Sequence, residues 1–401
     1  MVSLLLAFGI LIALFVGFNI GGSSTSVAFG PAVGSNTISK AGAAALMTAF
    51  ALLGGATVGR NVITTLSEGL VPEGTFTVGI GIIVLFFIGV ALFLSNVVGV
   101  PASTSMTAVG AIAGLGLATN SLNWGEMGRI ITWWLVSPLI AFWVSGVIGR
   151  YLYPWLVTKF AVTQTEGSLV KLDRSAGFPW VTLGPNTTTR EFVGTSLVVL
   201  IACYMAFSAG ASNIPNAAAP LVGSGDLSVT NAILIGAVGV GLGAFTIARR
   251  TLDTVGNDLT ELPLLAALVV AVVSSTIVAV LSELGVPASF VIVATMSIVG
   301  LGWGRATRTA TLSETVGRDP PDVSVGALAA ESEDAPTVGG KTGDPSRVET
   351  KPIGDEESED LPKASDLFEP GTTARVIVLQ NVVPAIATVA AFLVFRYGPW
   401  F

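Results

Sequence analysis

The residues that could do chemistry in this chain are neutral. Ser23, Ser24, Thr25 and Ser26 form one group, Ser103, Thr104 and Ser105 a second, Ser212, Asn213 and Asn216 a third, and Ser289 stands in a fourth segment. Each hydroxyl or amide can donate a hydrogen bond without being a cation. Together with backbone N–H groups freed where a helix begins, they suit a small tetrahedral oxyanion. The oxygens of Ser, Thr and Asn, with carbonyls freed at helix breaks, can also surround a hard cation such as sodium without a carboxylate. Other chemistry is excluded by composition. The chain has no histidine and one cysteine, Cys203, so it can form no internal disulfide, no Cys/His metal cluster and no histidine relay. Asp226, Asp253, Asp258, Glu261 and Glu283 sit at the edges of apolar segments rather than inside them, so no membrane-buried carboxylate relay is visible. Ser23 and Ser103 have no activating base, which argues against an enzyme.

The elements that must hold these residues lie in lipid. Of 401 residues, 52% are hydrophobic and 11% charged, with a mean hydropathy of +0.78. This composition describes a multi-pass protein of the cell membrane and rules out a nucleic-acid binder with a basic face. Charge is concentrated: Thr309 to Thr373 holds 15 acidic and 5 basic residues among Pro, Gly, Ser and Thr, and reads as a solvated, disordered segment. Apolar helices are expected over Leu4 to Phe18 and near 41–59, 78–98, 130–153, 192–209, 229–248, 262–282 and 376–395. The first has no basic residues ahead of it and reads as a span rather than a signal peptide. Trp133, Trp134, Tyr151, Tyr153, Trp155, Trp400 and Phe401 fall near span ends, as interfacial anchors do. Four stretches are too rich in Gly, Pro, Ser and Thr for lipid-facing helices: Gly21 to Ser39, the segment opened by Pro101, the region of Gly210, and the segment opened by Pro287. They are expected to be re-entrant backbone buried in protein. The fold class is therefore an all-α polytopic membrane protein with eight full spans and four re-entrant or broken-helix elements.

The two halves share a design. At an offset of 189, Phe18, Gly21, Ser23, Ala28, Pro31, Gly34, Ser39 and Arg60 fall on Phe207, Gly210, Ser212, Ala217, Pro220, Gly223, Ser228 and Arg249. GVPAS at Gly99 to Ser103 recurs at Gly285 to Ser289. The expected organisation is a membrane repeat over 1–157, a polar connector over 158–190, a second repeat over 191–304, the acidic loop over 305–373 and a last helix of the second repeat over 374–401. In repeat-built secondary transporters the substrate site lies near the midplane at the repeat interface, and paired Gly/Pro-interrupted segments mark it.

FNIGGSSTSVAFGPAVGS, Phe18 to Ser35, resembles the signature of the inorganic phosphate transporter (PiT) family, FNIGANDVANAFGTSVGS. FSAGASNIPNAAAP, Phe207 to Pro220, resembles its second copy, GVPAST at Gly99 to Thr104 the GLPVSTTH element, and GAFTIARRTLDTVG at Gly243 to Gly256 fits the family's second half. The resemblance implies inverted repeats, inward transport of inorganic phosphate coupled to sodium or protons, and often a homodimer. It departs from the family at informative places. The Asn-Asp pair is Ser23-Ser24 in one copy and Ser212-Asn213 in the other. A later Asn is Val27 in the first copy and Asn216 in the second, and the GLPVSTTH histidine is Met106. In the second copy of that element Ser289 is followed by Phe290 and Val291. Phosphate near neutral pH still carries protons and gains from a carboxylate acceptor, whereas sulfate carries none and would be repelled by one. The expected function is a symporter that carries inorganic phosphate by alternating access. The alternatives are a permease for sulfate or another tetrahedral oxyanion, and a passive anion channel. Ser23, Ser24, Ser103, Thr104, Ser105, Ser212 and Ser289 are assigned to the anion, and Gly21, Asn213 and Asn216 to the coupling cation, sodium ahead of the proton. No cofactor, transition metal or nucleic acid is expected.

Overall fold

A computed structural model describes residues 4–35, 37–98, 103–159, 170–173, 180–183, 189–258, 264–307 and 370–398. The acidic segment over 308–369, most of the connector, Pro101, Trp400 and Phe401 lie outside the described residues. The chain opens with α1 (Leu4–Gly34), α2 (Lys40–Ala56) and α3 (Gly59–Thr64), which runs into a π-helical turn at Thr65–Gly69. Next come α4 (Val78–Val98), α5 (Thr104–Ala118) and α6 (Trp124–Val147), the last prolonged through a second π turn at Ile148–Leu152 into α7 (Tyr153–Lys159). The second half holds α8 (Thr189–Val222), α9 (Val229–Asp258), α10 (Leu264–Glu283), α11 (Phe290–Ala306) and α12 (Pro370–Tyr397). The one strand pair among the described residues is antiparallel and lies within the connector, β1 (Val170–Asp173) with β2 (Trp180–Leu183).

Among the described residues seven helices are long and apolar enough to cross a bilayer, and the α2–α3 pair, bent by 63°, passes the same test only when its two helices are taken together. The chain is thus a multi-pass membrane protein whose seven long helices fall on seven of the expected segments, the bent pair lying on the one near 41–59. Lipid-facing surface is evident on α6 and α12, where Leu135, Leu139, Trp143, Ile386, Val389 and Leu393 are exposed. Tyr151 and Trp155 are exposed beside the end of α6, whereas Tyr153 is buried, with the Arg305 guanidinium over its ring.

Two of the four expected breaks exist. Helices α5 and α11 have 15 and 17 residues, so at 1.5 Å per residue each is shorter than the roughly 30 Å hydrocarbon core. The other two do not. Gly21 and Gly210 lie inside α1 and α8, which run unbroken for 31 and 34 residues through Pro31 and through Pro215 and Pro220. The hydroxyls that suggested irregular backbone instead bond back to the helix: Ser23 Oγ donates to Asn19 O and Ile20 O at 3.2 Å, and Thr25 Oγ1 to Gly21 O at 2.6 Å. The glycines serve close packing of backbones. A Cβ on Gly21 would collide with the Val240 carbonyl and one on Gly210 with that of Ala51, while Gly54 and Gly243 lie against the carbonyls of Phe207 and Phe18. Helix α1 accordingly packs on α9, and α8 on α2. In the same manner α5 packs on α12, and α11 on α6.

Candidate site at two helix N-termini

Helices α5 and α11 begin at one cavity. Ser103 and Ser289 cap them in extended conformation, and their Oγ atoms accept from Met106 N at 3.2 Å and Ile292 N at 3.4 Å. Capping satisfies one amide in each first turn. The N–H groups of Thr104, Ser105, Phe290 and Val291 have no helix carbonyl within reach, as at any α-helix start. The aligned peptide dipoles add partial positive charge at both ends.

Ser23 and Ser24 reach this cavity from α1, Ser103, Thr104 and Ser105 from α5, Asn213 from α8, and Ser289 with Phe290 and Val291 from α11. Its volume is about 40 Å³, room for roughly three waters or one small oxyanion. Thr104 and Asn213 are 9% and 8% exposed and both line it. No lining residue is ionisable. The cavity therefore offers hydroxyl and helix-end amide donors beside apolar surface, and no fixed negative charge.

Behind the lining lies a buried polar chain. Ser212 Oγ donates to Ala288 O at 2.8 Å, so in its 3.2 Å contact with Ser105 Oγ it is the acceptor. Asn216 Nδ2 in turn donates to Ser105 Oγ at 3.2 Å and Ser212 O at 3.1 Å. Ser212 and Asn216 are both 0% exposed, and Asn216 Oδ1 is left without a partner. Among the residues assigned from sequence to the anion, Ser212 thus stands one layer behind the lining and braces Ser105 and Ala288. Of those assigned to the cation, Asn213 lines the cavity, Asn216 lies beneath it, and Gly21 is packed against α9. Sequence reasoning overlooked Asn19 and Asn96. Asn96 Nδ2 donates to Asn19 Oδ1 at 3.1 Å and ties α4 to α1 one turn from Ser23. The signal was present, since Asn19 is spaced i, i+4 from Ser23 and so shares its helix face.

A larger hollow of about 320 Å³ lies where the end of α6 meets α8 and α10. Its walls, including Ile148, Leu197 and Leu268, are aliphatic and offer an anion nothing. Among the described residues no cluster of His, Cys, Asp or Glu could hold a metal ion.

A family description, phosphate transporter family, matches residues 20–318. The chain is 31% identical over 298 residues to the sulfate permease CysP of Bacillus subtilis, covering 74% of this chain and 77% of that one. It is 26% identical over 369 residues to a provisionally named phosphate permease of Helicobacter pylori strain J99, covering 75% and 69%. A solved structure titled the sodium-dependent phosphate transporter superposes with a TM-score of 0.65 over 98% of this chain and 99% of that one. At 19% identity the superposition bears on fold alone. With the family match spanning most of the membrane part and the fold shared end to end, the chain belongs to the phosphate transporter family.

Proposed function

We propose that the chain is a secondary active transporter that carries inorganic phosphate across the membrane by alternating access in symport with sodium. The observation that carries this reading is the cavity between the N-termini of α5 and α11, where six hydroxyls and one amide stand among apolar residues with no fixed charge. A phosphate there would accept from the Thr104, Ser105, Phe290 and Val291 amides and from the Ser24, Ser103, Thr104 and Ser289 hydroxyls. Neutral donors grip an anion without trapping it, which suits a carrier that must release its cargo. The reciprocal packing of α1 on α9 and α8 on α2, and of α5 on α12 and α11 on α6, supports two related halves interleaved around this cavity, with one bundle drawn from both rocking against the rest. Sodium would find one hard, unpartnered oxygen at Asn216 Oδ1.

Sulfate is a second reading, and one observation favours it. The lining holds no carboxylate to accept a proton from the substrate, and the sulfate permease relative is 31% identical. A donor-rich cavity prefers the fully deprotonated dianion. Uptake of labelled phosphate and sulfate into proteoliposomes, with and without a sodium gradient, separates the readings. Phosphate uptake should rise with pH through the second ionisation of phosphate while sulfate uptake stays flat. Saturable, gradient-driven uptake marks a carrier and ohmic current a channel; competition by neither anion would sink the whole class.

A further inference from the structure

The cavity has a polar end and an apolar end. Helices α1 and α8 run antiparallel beside it: near the start of α1 a Cβ on Gly9 would meet Leu221, close to the end of α8, at 3.0 Å, whereas Ser23 to Ala28 share the cavity with Met205 to Asn213. Ser105 Oγ meets Ser212 Oγ at 3.2 Å and Ser212 Oγ donates to Ala288 O at 2.8 Å, so the starts of α5 and α11 both stand at the level of Ser212 and Asn213. Antiparallel packing brings Ser23 and Ser24 to that same end. Val27 and Ala28 follow one turn further along α1. Ala209 and Met205 lie about 6 and 12 Å back along α8 from Asn213, at 1.5 Å per residue. All four line the cavity, and Ala28, Met205 and Ala209 are 3%, 7% and 5% exposed. Their backbone groups are bonded within unbroken helices, so this end offers a ligand only hydrocarbon and a thioether.

We propose that the cavity prefers singly substituted tetrahedral oxyanions, in which a compact apolar group replaces one oxygen, with methylphosphonate as the isostere of phosphate. The inference rests on the reading of this cavity as the transport site and names its preferred substrate class. Phosphate as a dianion presents three bare oxygens and one hydroxyl, and sulfate presents four bare oxygens. The donors of the polar end can serve three corners. Whichever corner points to Val27 and Met205 loses the hydrogen bonds that water gave it. A methyl group there loses none, and the methylphosphonate dianion carries no proton that would need an acceptor. It has as many heavy atoms as phosphate, so a cavity of about 40 Å³ that admits one admits the other. An apolar pocket separates a methyl from an isosteric hydroxyl by roughly ten- to a hundredfold. The repeat locates the decisive position: Val27 falls on Asn216 at the offset of 189, so in the first copy an aliphatic side chain lines the cavity where the second copy has an amide.

The test uses the full chain in proteoliposomes at a pH where phosphate and methylphosphonate are both dianions. Labelled phosphate is the tracer and each compound the unlabelled competitor. Methylphosphonate should inhibit at a concentration roughly tenfold or more below that of phosphate, and labelled methylphosphonate should itself be taken up. Val27→Asn sets an amide at the apolar end and should bring the two within about twofold or reverse their order. Val27→Ala, which stays apolar, should keep the preference. Should Val27→Asn fail to fold, Met205→Gln makes the same change from α8. Methylphosphonate that competes no better than phosphate, with phosphate uptake saturable, overturns the proposal and leaves the transport reading standing; so does a preference that survives both polar substitutions. Binding gives a separate readout, because methylphosphonate should raise the unfolding temperature in detergent more than equimolar phosphate does. That order in a chain that carries no oxyanion would keep the proposal and remove the transport reading, whereas an equal rise, or none, overturns the proposal.

Discussion

The Oγ atoms of Ser105 and Ser212 meet at 3.2 Å, 107 positions apart in the chain, and join the start of α5 to the middle of α8 directly behind the cavity. Because Ser212 gives its proton to Ala288 O, the contact has one direction, from Ser105 to Ser212, and the α11 side is tied into the same chain. Replacing Ser212 by Ala leaves Ala288 O without its donor and the Ser105 hydroxyl without its acceptor. A loss of about 1 kcal/mol is expected, since hydrogen bonds between membrane helices average roughly 0.6 and reach about 1.7 kcal/mol. Ser105→Ala should cost a similar amount. The double variant should cost less than the sum, which thermal unfolding in detergent would reveal; strict additivity would mean that the two hydroxyls do not share a bond.

The glycine contacts make a second prediction with a built-in control. Gly21→Ala and Gly210→Ala each place a methyl on a neighbouring carbonyl, those of Val240 and Ala51, so each should cost about 1–3 kcal/mol or more by overpacking. Gly128, inside α6, has nothing within 4 Å of an added Cβ. Gly128→Ala should be neutral or stabilising by up to about 1 kcal/mol through helix propensity. Folded yield and thermal midpoint in detergent rank the three.

The same glycines show why part of the fold was legible in the sequence and part was not. Hydropathy located all seven long apolar helices among the described residues because each must satisfy lipid along its length. The Ser, Thr and Gly run after Phe18 carries two opposed signals: it could break a helix, or let one pack closely. Only the partner decides, and the partner is α9, more than 200 residues away. Pro101 and Pro287 were better guides because a serine cap follows two residues later. At the site, residue type and repeat register brought Ser23, Ser24, Ser103, Thr104, Ser105, Asn213 and Ser289 to one cavity. They could not separate lining from bracing, so Ser212 and Asn216 were assigned contacts that their burial assigns to the layer behind. The bonds from Asn61 Nδ2 to Glu283 O, Arg129 Nη1 to Leu284 O and Trp134 Nε1 to Pro287 O, which tie α3 and α6 to the turn between α10 and α11, had no signal in sequence, since any side-chain donor can meet a backbone acceptor.

Stability and transport can be separated at the caps. Ser103→Asp and Ser289→Asp keep a good N-cap acceptor and add a charge that the helix dipole favours, so folded protein should be undiminished. An anion in the cavity would then face a fixed negative charge. At about 5 Å and an effective dielectric of about 20 the repulsion is about 3 kcal/mol, roughly a hundredfold loss of affinity. Labelled oxyanion uptake should fall to background while size-exclusion profiles stay unchanged. Wild-type uptake in both variants would remove the helix N-termini from the site.

Asn216 Oδ1 gives the cation reading its own measurement. It is fully buried and unpartnered, a cost that a bound sodium would remove. A ligand that binds only the folded protein stabilises it by about 1.4 kcal/mol at ten times its dissociation constant. Sodium chloride should therefore raise the unfolding temperature in detergent above that in equimolar choline chloride. Asn216→Asp retains the oxygen and should keep the difference; Asn216→Leu fills similar space without an oxygen and should erase it. Equal midpoints in the two salts for the unmodified chain would leave the Asn216 carbonyl as a structural defect and turn the search for the coupling ion elsewhere.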